Sequence, residues 1–127
     1  MKKHTFTLKL LSGDFAVCKV ADSAKINFNA TYTFWAKTDK ENSLVCLNEN
    51  IPENVVTAEK GWRALCIEGQ LDFSLLGILA GIADVLARNE ISIFVVSTFD
   101  TDYIFVKTQK IDKTIQVLRQ DGYTVKA

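Results

Sequence analysis

The clearest pattern of hydrophobic and polar positions lies in the second half of the chain. An apolar run of strand length extends from Trp62 to Glu68 and ends at Gly69. A helix is predicted after it, because apolar residues recur there at helical spacing, at Leu75, Leu79, Ile82 and Leu86. Either Asp72 or Ser74 could cap this helix, since the side-chain oxygen of each can accept an N–H of the first turn.

Two strands, a second helix and a last strand are predicted next. The segments Ile91–Val96 and Tyr103–Val106 are rich in β-forming residues and flank the polar turn 97–101. Asp112 is the predicted cap of the second helix, and Tyr123–Val125 is a short last strand. The order β-α-β-β-α-β predicts an α+β, ferredoxin-like unit, whose four-stranded antiparallel sheet carries both helices on one face.

The first half of the chain reads as a weaker copy of the second, displaced by sixty residues. Matching positions are Phe34 and Phe94, Thr38 and Thr98, Leu44 and Ile104, and Ile51 and Ile111. The alternative is a chance alignment of two β-rich segments. The repeat predicts a short helix over 51–58, ended by Gly61, and two tandem units over residues 1–61 and 62–127.

The first unit is predicted to be degenerate, with a reduced or missing first helix. Phe15–Val20 reads as a strand where the copy would place that helix. Phe6, Leu8 and Leu10 alternate with polar residues, so a hairpin through Ser12-Gly13-Asp14 is predicted to join an N-terminal strand to this one.

Composition narrows the functional classes. The 127 residues carry 15 basic and 15 acidic side chains, and this zero net charge argues against nucleic acid or an acidic membrane as a partner. His4 is the single histidine, which leaves little for metal sites or for triads built on a histidine base. Cys18, Cys46 and Cys66 sit in apolar runs without CxxC spacing, so we expect reduced thiols, no zinc and a cytoplasmic protein. Neither a signal peptide nor a membrane span is expected.

Two segments of the second unit resemble the ACT domain family. They are 68–80 (EGQLDFSLLGILA) and 91–106 (ISIFVVSTFDTDYIFV), of which 97–103 is the more specific. The resemblance is to small stand-alone bacterial tandem-ACT proteins related to the CASTOR-type arginine sensors. It implies amino-acid binding between the N-terminus of the first helix and the end of the second strand. The family's Asp-x-Pro-Gly signature is not matched, although Asp72 and Gly77 stand near its acidic and glycine positions.

Residues suited to a zwitterionic ligand occur in both of these segments. Backbone N–H groups over 74–77 could receive a carboxylate, because a helix N-terminus carries unpaired donors and a partial positive charge. Carboxylates and hydroxyls could receive the ammonium group, although helix capping and turn formation explain the same residues. The candidate ligand-binding residues are Asp72, Ser74, Leu75, Leu76, Gly77, Ser97, Thr98, Phe99, Asp100, Thr101 and Asp102.

Gly77 and Gly81 are predicted to lie four residues apart on one face of the first helix. Glycine inside a helix is unfavourable by about 1 kcal/mol relative to alanine, so a close neighbour is expected there. Packing of another helix or subunit is favoured over a bound ligand as that neighbour.

The sequence therefore favours a non-enzymatic regulatory module that binds a small molecule through domain or subunit interfaces. An amino acid is the favoured ligand. No cofactor and no metal are expected, and the protein is expected to form a homodimer. The alternative is a structural or protein-interaction module without a ligand, whose pocket is filled by its own side chains such as Phe73 or Phe99.

Overall fold

The computed structural model describes residues 6–69 and 77–127, and this part of the chain contains eight strands and two α-helices. The strands are β1 (Thr7–Leu10), β2 (Phe15–Val20), β3 (Phe34–Lys37), β4 (Asn42–Leu47), β5 (Val55–Glu68), β6 (Ile93–Ser97), β7 (Asp102–Lys107) and β8 (Thr124–Lys126). The helices are α1 (Ile78–Arg88) and α2 (Ile111–Gln120). Single turns of 3-10 helix follow β4 and β7 at Asn48–Asn50 and Thr108–Lys110.

The chain divides into two compact units. The first unit is Gly13–Trp62, and the second combines residues up to Ser12 with Arg63–Ala127. The tandem units over residues 1–61 and 62–127 stay a prediction, and those bounds would place β1 in the first unit. The strand β1 lies in the second unit because both of its hydrogen-bonded neighbours, β5 and β8, pair with it there.

The second unit has the ferredoxin-like arrangement with one additional strand. Its sheet order is β6-β7-β5-β1-β8, so β1 is inserted between the two strands that the four-stranded prediction made neighbours. β1 is antiparallel to β5 and parallel to β8, which makes the sheet mixed and five-stranded where a four-stranded antiparallel one was predicted. The predicted hairpin between β1 and β2 is therefore wrong: alternation identified both strands, but it does not specify their partners.

Both helices of the second unit pack on one face of its sheet. Every strand of this sheet contributes alternate residues to one core cluster, and the apolar faces of both helices complete that cluster. The fully buried members are Leu8, Leu65, Ile82, Leu86, Ile104, Val106 and Leu118. On the other face, Phe105 is fully buried and stacks on Phe94, with ring centroids 4.5 Å apart.

The first unit contains no α-helix among its described residues, Gly13–Trp62. The helix predicted over 51–58 is wrong, because the β-branched run beginning at Val55 starts the strand β5. Gly61 does not end a helix. Its φ of 88° lies within β5, where the register with β2 shifts between the pairs Val17–Glu59 and Phe15–Trp62, as expected at a β-bulge. A small core of strand residues with Ile26, Trp35 and Ile51 replaces helix packing.

The hairpins β3–β4 and β6–β7 have the same register. Phe34 pairs with Val45, and Phe94 pairs with Phe105, so each pair of the first hairpin recurs sixty positions later in the second. Each turn is closed by one threonine, whose N–H donates to the carbonyl three residues on: Thr38 to Glu41 at 2.9 Å, and Thr98 to Thr101 at 2.8 Å. The sixty-residue spacing seen in the sequence thus corresponds to the same local geometry in both hairpins.

Candidate functional site

The first helical residue of α1 among the described residues is Ile78, directly after Gly77. Gly77 has φ 85°, in the left-handed region, and it is the residue before the first helical position. The N–H of Gly81 donates to the Gly77 carbonyl at 2.8 Å, which is the first bond of the helix ladder. No side chain of the described residues caps this end, so the first-turn N–H groups and their partial positive charge face the N-terminal side of α1.

The two glycines of α1 have different structural explanations. The prediction that both lie inside the helix is wrong for Gly77, because its backbone conformation is not helical. Gly81 is inside the helix, and a Cβ at this position would stand 3.1 Å from the hydroxyl oxygen of Tyr123. A close neighbour was predicted at Gly81, and within this chain that neighbour is the side chain of Tyr123 in the same unit.

The β6–β7 turn carries the second group of predicted ligand residues, and its two threonine hydroxyls bond to backbone. The hydroxyl of Thr98 donates to the Thr101 carbonyl at 3.1 Å, and the hydroxyl of Thr101 donates to the Ile67 carbonyl at 2.6 Å. Thr38 makes the same type of bond in the other hairpin, to the Glu41 carbonyl at 3.4 Å. The Thr98 bond is thus a feature of this turn type, whereas the Thr101 bond ties the turn to the end of β5.

Cys66 also lies beside this turn, although no sequence pattern assigned it a role there. Burial raises the pKa of its thiol, while the neighbouring side chains of Tyr103 and Thr101 act in the opposite direction. The signal that could have found it is the alternation along β5. Ile67 faces the helices there, so Cys66 faces the other side of the sheet, next to the strand that follows the turn.

The acidic and aromatic residues of the turn differ in exposure. Ser97 and Asp100 are exposed, and Asp102 is half-buried at the start of β7. Phe99 is 103% exposed, so it fills no pocket among the described residues, and the alternative hypothesis is wrong for this one residue. Asp72, Phe73, Ser74, Leu75 and Leu76 lie outside the described residues, so their predicted part in the site stays a prediction.

The three thiols are not in a reactive state. All three cysteines are free, and Cys18 and Cys46 are buried. Burial raises the pKa of each thiol, that of Cys46 to about 12, so the neutral form dominates at neutral pH, and the thiolate is the form that attacks. Within 6–69 and 77–127, no three His, Cys, Asp or Glu side chains converge as metal ligands. No helix in these same ranges has the length and apolar character needed to cross a membrane.

Comparisons with known proteins identify a matching family model, similar relatives and solved structures with the same fold. The family model of the ACT domain matches residues 57–120, which are about half of the chain. The match begins inside β5 and ends at the last residue of α2. A cytosolic arginine sensor for mTORC1, subunit 1, of Bos taurus is 42% identical over 73 residues, which are 54% of this chain and 22% of the sensor. The matching region thus spans less than a quarter of that relative.

Two solved structures share the fold over nearly the whole chain. A protein of Agrobacterium tumefaciens superposes with a TM-score of 0.84 at 30% identity, covering 98% of this chain and 93% of its own. The regulatory subunit of aspartate kinase from Thermus thermophilus superposes with a TM-score of 0.60 at 11% identity, covering 94% and 98%. ACT domains are regulatory modules and not catalytic ones. From β5 to α2, and in its ferredoxin-like second unit, the chain belongs to the ACT domain family.

Proposed function

We propose that this chain is a regulatory module that binds a free amino acid in its second unit, beside the N-terminal end of α1 and the β6–β7 turn. The observation that carries the proposal is the family match over 57–120, which includes both elements. The likeness to an arginine sensor over 73 residues makes arginine the first ligand to test.

The local chemistry supports such a ligand. The first turn of α1 supplies N–H donors and a partial positive charge, which suit an α-carboxylate. Asp100 and Asp102 supply negative charge for an α-ammonium or a guanidinium group. The bond from Thr101 to the Ile67 carbonyl holds this turn at the end of β5, two residues before Gly69. In this proposal Thr101 is a positioning residue, because its hydroxyl proton already has an acceptor.

The tandem arrangement is part of the proposal. The matching registers and turns of the two hairpins support a first unit derived from the same ancestor. Without an α-helix among its described residues, the first unit offers no helix N-terminus for a carboxylate, so we propose one ligand per chain.

The test is a thermal-shift screen of the twenty amino acids at millimolar concentration, followed by calorimetry on any ligand that raises the melting temperature. A ligand present at a hundred times its Kd stabilises the fold by about 2.7 kcal/mol, which such a screen detects. Asp100→Asn and Asp102→Asn should weaken binding about tenfold or more, because each removes a charged partner.

The matched control is Asp39→Asn. Asp39 lies in the equivalent turn of the first unit, is exposed, and should leave the affinity unchanged. A folded protein that no amino acid stabilises would refute the proposal, and so would an Asp39→Asn variant that loses as much affinity as the two variants of the second unit.

A further inference from the structure

An open groove lies along the exposed side of α2. Its volume is about 540 Å³, and it is lined by Asp112, Ile115, Gln116, Arg119, Gln120 and Ala127. All but Ile115 are exposed, and Ile115 is half-buried on the core. A small ligand would leave much of its surface in water here, whereas sites for such ligands usually bury most of it. The open shape favours a larger partner.

The charged residues of this groove are arranged in a self-complementary way. Asp112 and Arg119 are seven residues apart, about two helical turns or 10 Å along the axis, so they share one face with opposite charges at its two ends. Ile115 and Gln116 lie midway between them. If a second copy of α2 packs antiparallel on this face, Asp112 of each copy lies opposite Arg119 of the other. Ile115 of each copy then lies opposite Gln116 of the other.

We propose that the outer face of α2 binds the same face of a second copy of this chain, antiparallel about a two-fold axis. Two-fold dimers are the commonest oligomers, and their interface requires each residue pair to occur twice, as it does here. A parallel arrangement would set Asp112 against Asp112 and Arg119 against Arg119, and it is disfavoured by repulsion. The axis passes between Ile115 and Gln116, where the half-buried Ile115 supplies apolar contact.

Arg119 is partly prepared for this role. Its Nη2 donates to the carbonyl of Val125 at 2.7 Å, which fixes the guanidinium against the end of β8. The remaining donors of the guanidinium fork can bind a carboxylate, because arginine presents five N–H groups in a rigid arrangement. Asp112 stands in the first turn of α2, where the helix dipole also favours its negative charge.

The experiment is a charge-reversal cycle read by light scattering and sedimentation from micromolar to millimolar protein. The wild type should form a dimer. Asp112→Arg and Arg119→Asp should each weaken it about tenfold or more, because like charges then meet twice, and the double variant should restore it. Asp84→Arg is the matched control: Asp84 is an exposed helical carboxylate on α1, paired with Arg88 at 3.0 Å, and reversing it should leave the dimer unchanged.

A monomeric wild type across this range, single variants that dimerise as well as the wild type, or a double variant that fails to recover would overturn the proposal. An Asp84→Arg variant that loses the dimer would also overturn it. Circular dichroism checks the fold of each variant. Arg119→Asp also removes the bond to Val125, so if variants carrying it do not fold, Asp112→Arg alone decides: an unchanged dimer overturns the proposal and a weakened one supports it.

Discussion

Alanine at Gly81 should be far less stabilising than helix propensity alone predicts. Gly81 lies in the interior of α1, where replacing glycine by alanine normally stabilises a helix by about 1 kcal/mol. The new Cβ, however, would stand 3.1 Å from the Tyr123 hydroxyl oxygen. Tyr123 is only 5% exposed and packs on Phe6 at a ring-centroid distance of 5.8 Å, so its ring has little room to retreat.

The magnitude follows from comparing two backgrounds. In the wild type we expect the clash to cancel most of the gain, leaving the free energy of unfolding of Gly81→Ala within about 0.5 kcal/mol of the parent. In Tyr123→Phe the hydroxyl is absent, and Gly81→Ala should then gain about 1 kcal/mol. The coupling between the two substitutions should therefore be about 0.5–1 kcal/mol.

Urea unfolding of the four proteins, followed by tryptophan fluorescence, measures this coupling. The slope of the unfolding free energy against urea should stay constant, so that the midpoints report stability alone. Equal effects of Gly81→Ala in the two backgrounds, within about 0.3 kcal/mol, would refute the close contact as the reason for this glycine.

Three further substitutions test other parts of the structure by the same unfolding measurement. Gly77→Ala should cost about 1–2 kcal/mol, because φ 85° is strained for an L-residue, and Gly77→Asn should cost less; an effect near zero would argue against this conformation. Thr101→Val should cost about 1–2 kcal/mol by leaving the Ile67 carbonyl without this donor, whereas Thr101→Ser keeps the hydroxyl and should cost less. Burial raises the pKa of Cys46 from 9.0 to about 12, so the unfolded chain loses this proton first and stability should fall as the pH rises through that interval. Cys46→Ala should flatten the fall, and an unchanged pH profile would contradict it.

The second unit was predictable because its local signals agree with its fold. Leu79, Ile82 and Leu86 show helical spacing, and the strands on both sides of the Ser97–Thr101 turn are rich in β-formers. Local propensity, apolar period and turn chemistry pointed to the same elements there, which is the condition under which sequence patterns are most reliable.

The failures concern partners and conformations that no local pattern encodes. The alternation of β1 is satisfied equally by pairing with β2 or with β5, and only the complete sheet decides between them. Ile51, Val55 and Ala58 fit a helical period, yet the β-branched residues from Val55 extend into a 14-residue strand. Gly81 and Tyr123 are distant in sequence, so no local pattern predicts their contact. The only indication in the sequence was a glycine inside a predicted helix.

The candidate site was predictable only in part for a similar reason. The sequence identified the turn residues, but it could not distinguish hydroxyls that hold the turn from groups open to a ligand. Thr98 and Thr101 donate to backbone carbonyls. The carboxylates of Asp100 and Asp102 are the groups that we propose bind the positive charge of the ligand.

The measurement that most directly tests the central proposal is an amide NMR titration of the labelled protein with arginine and then with the other amino acids. The proposal predicts that the largest shifts fall on residues 77–80 at the start of α1 and on residues 97–102 of the β6–β7 turn. It also predicts saturation at one ligand per chain, with the first-unit turn around Asp39 unchanged. Shifts centred on the first unit, or no saturable shifts from any amino acid, would contradict the proposal.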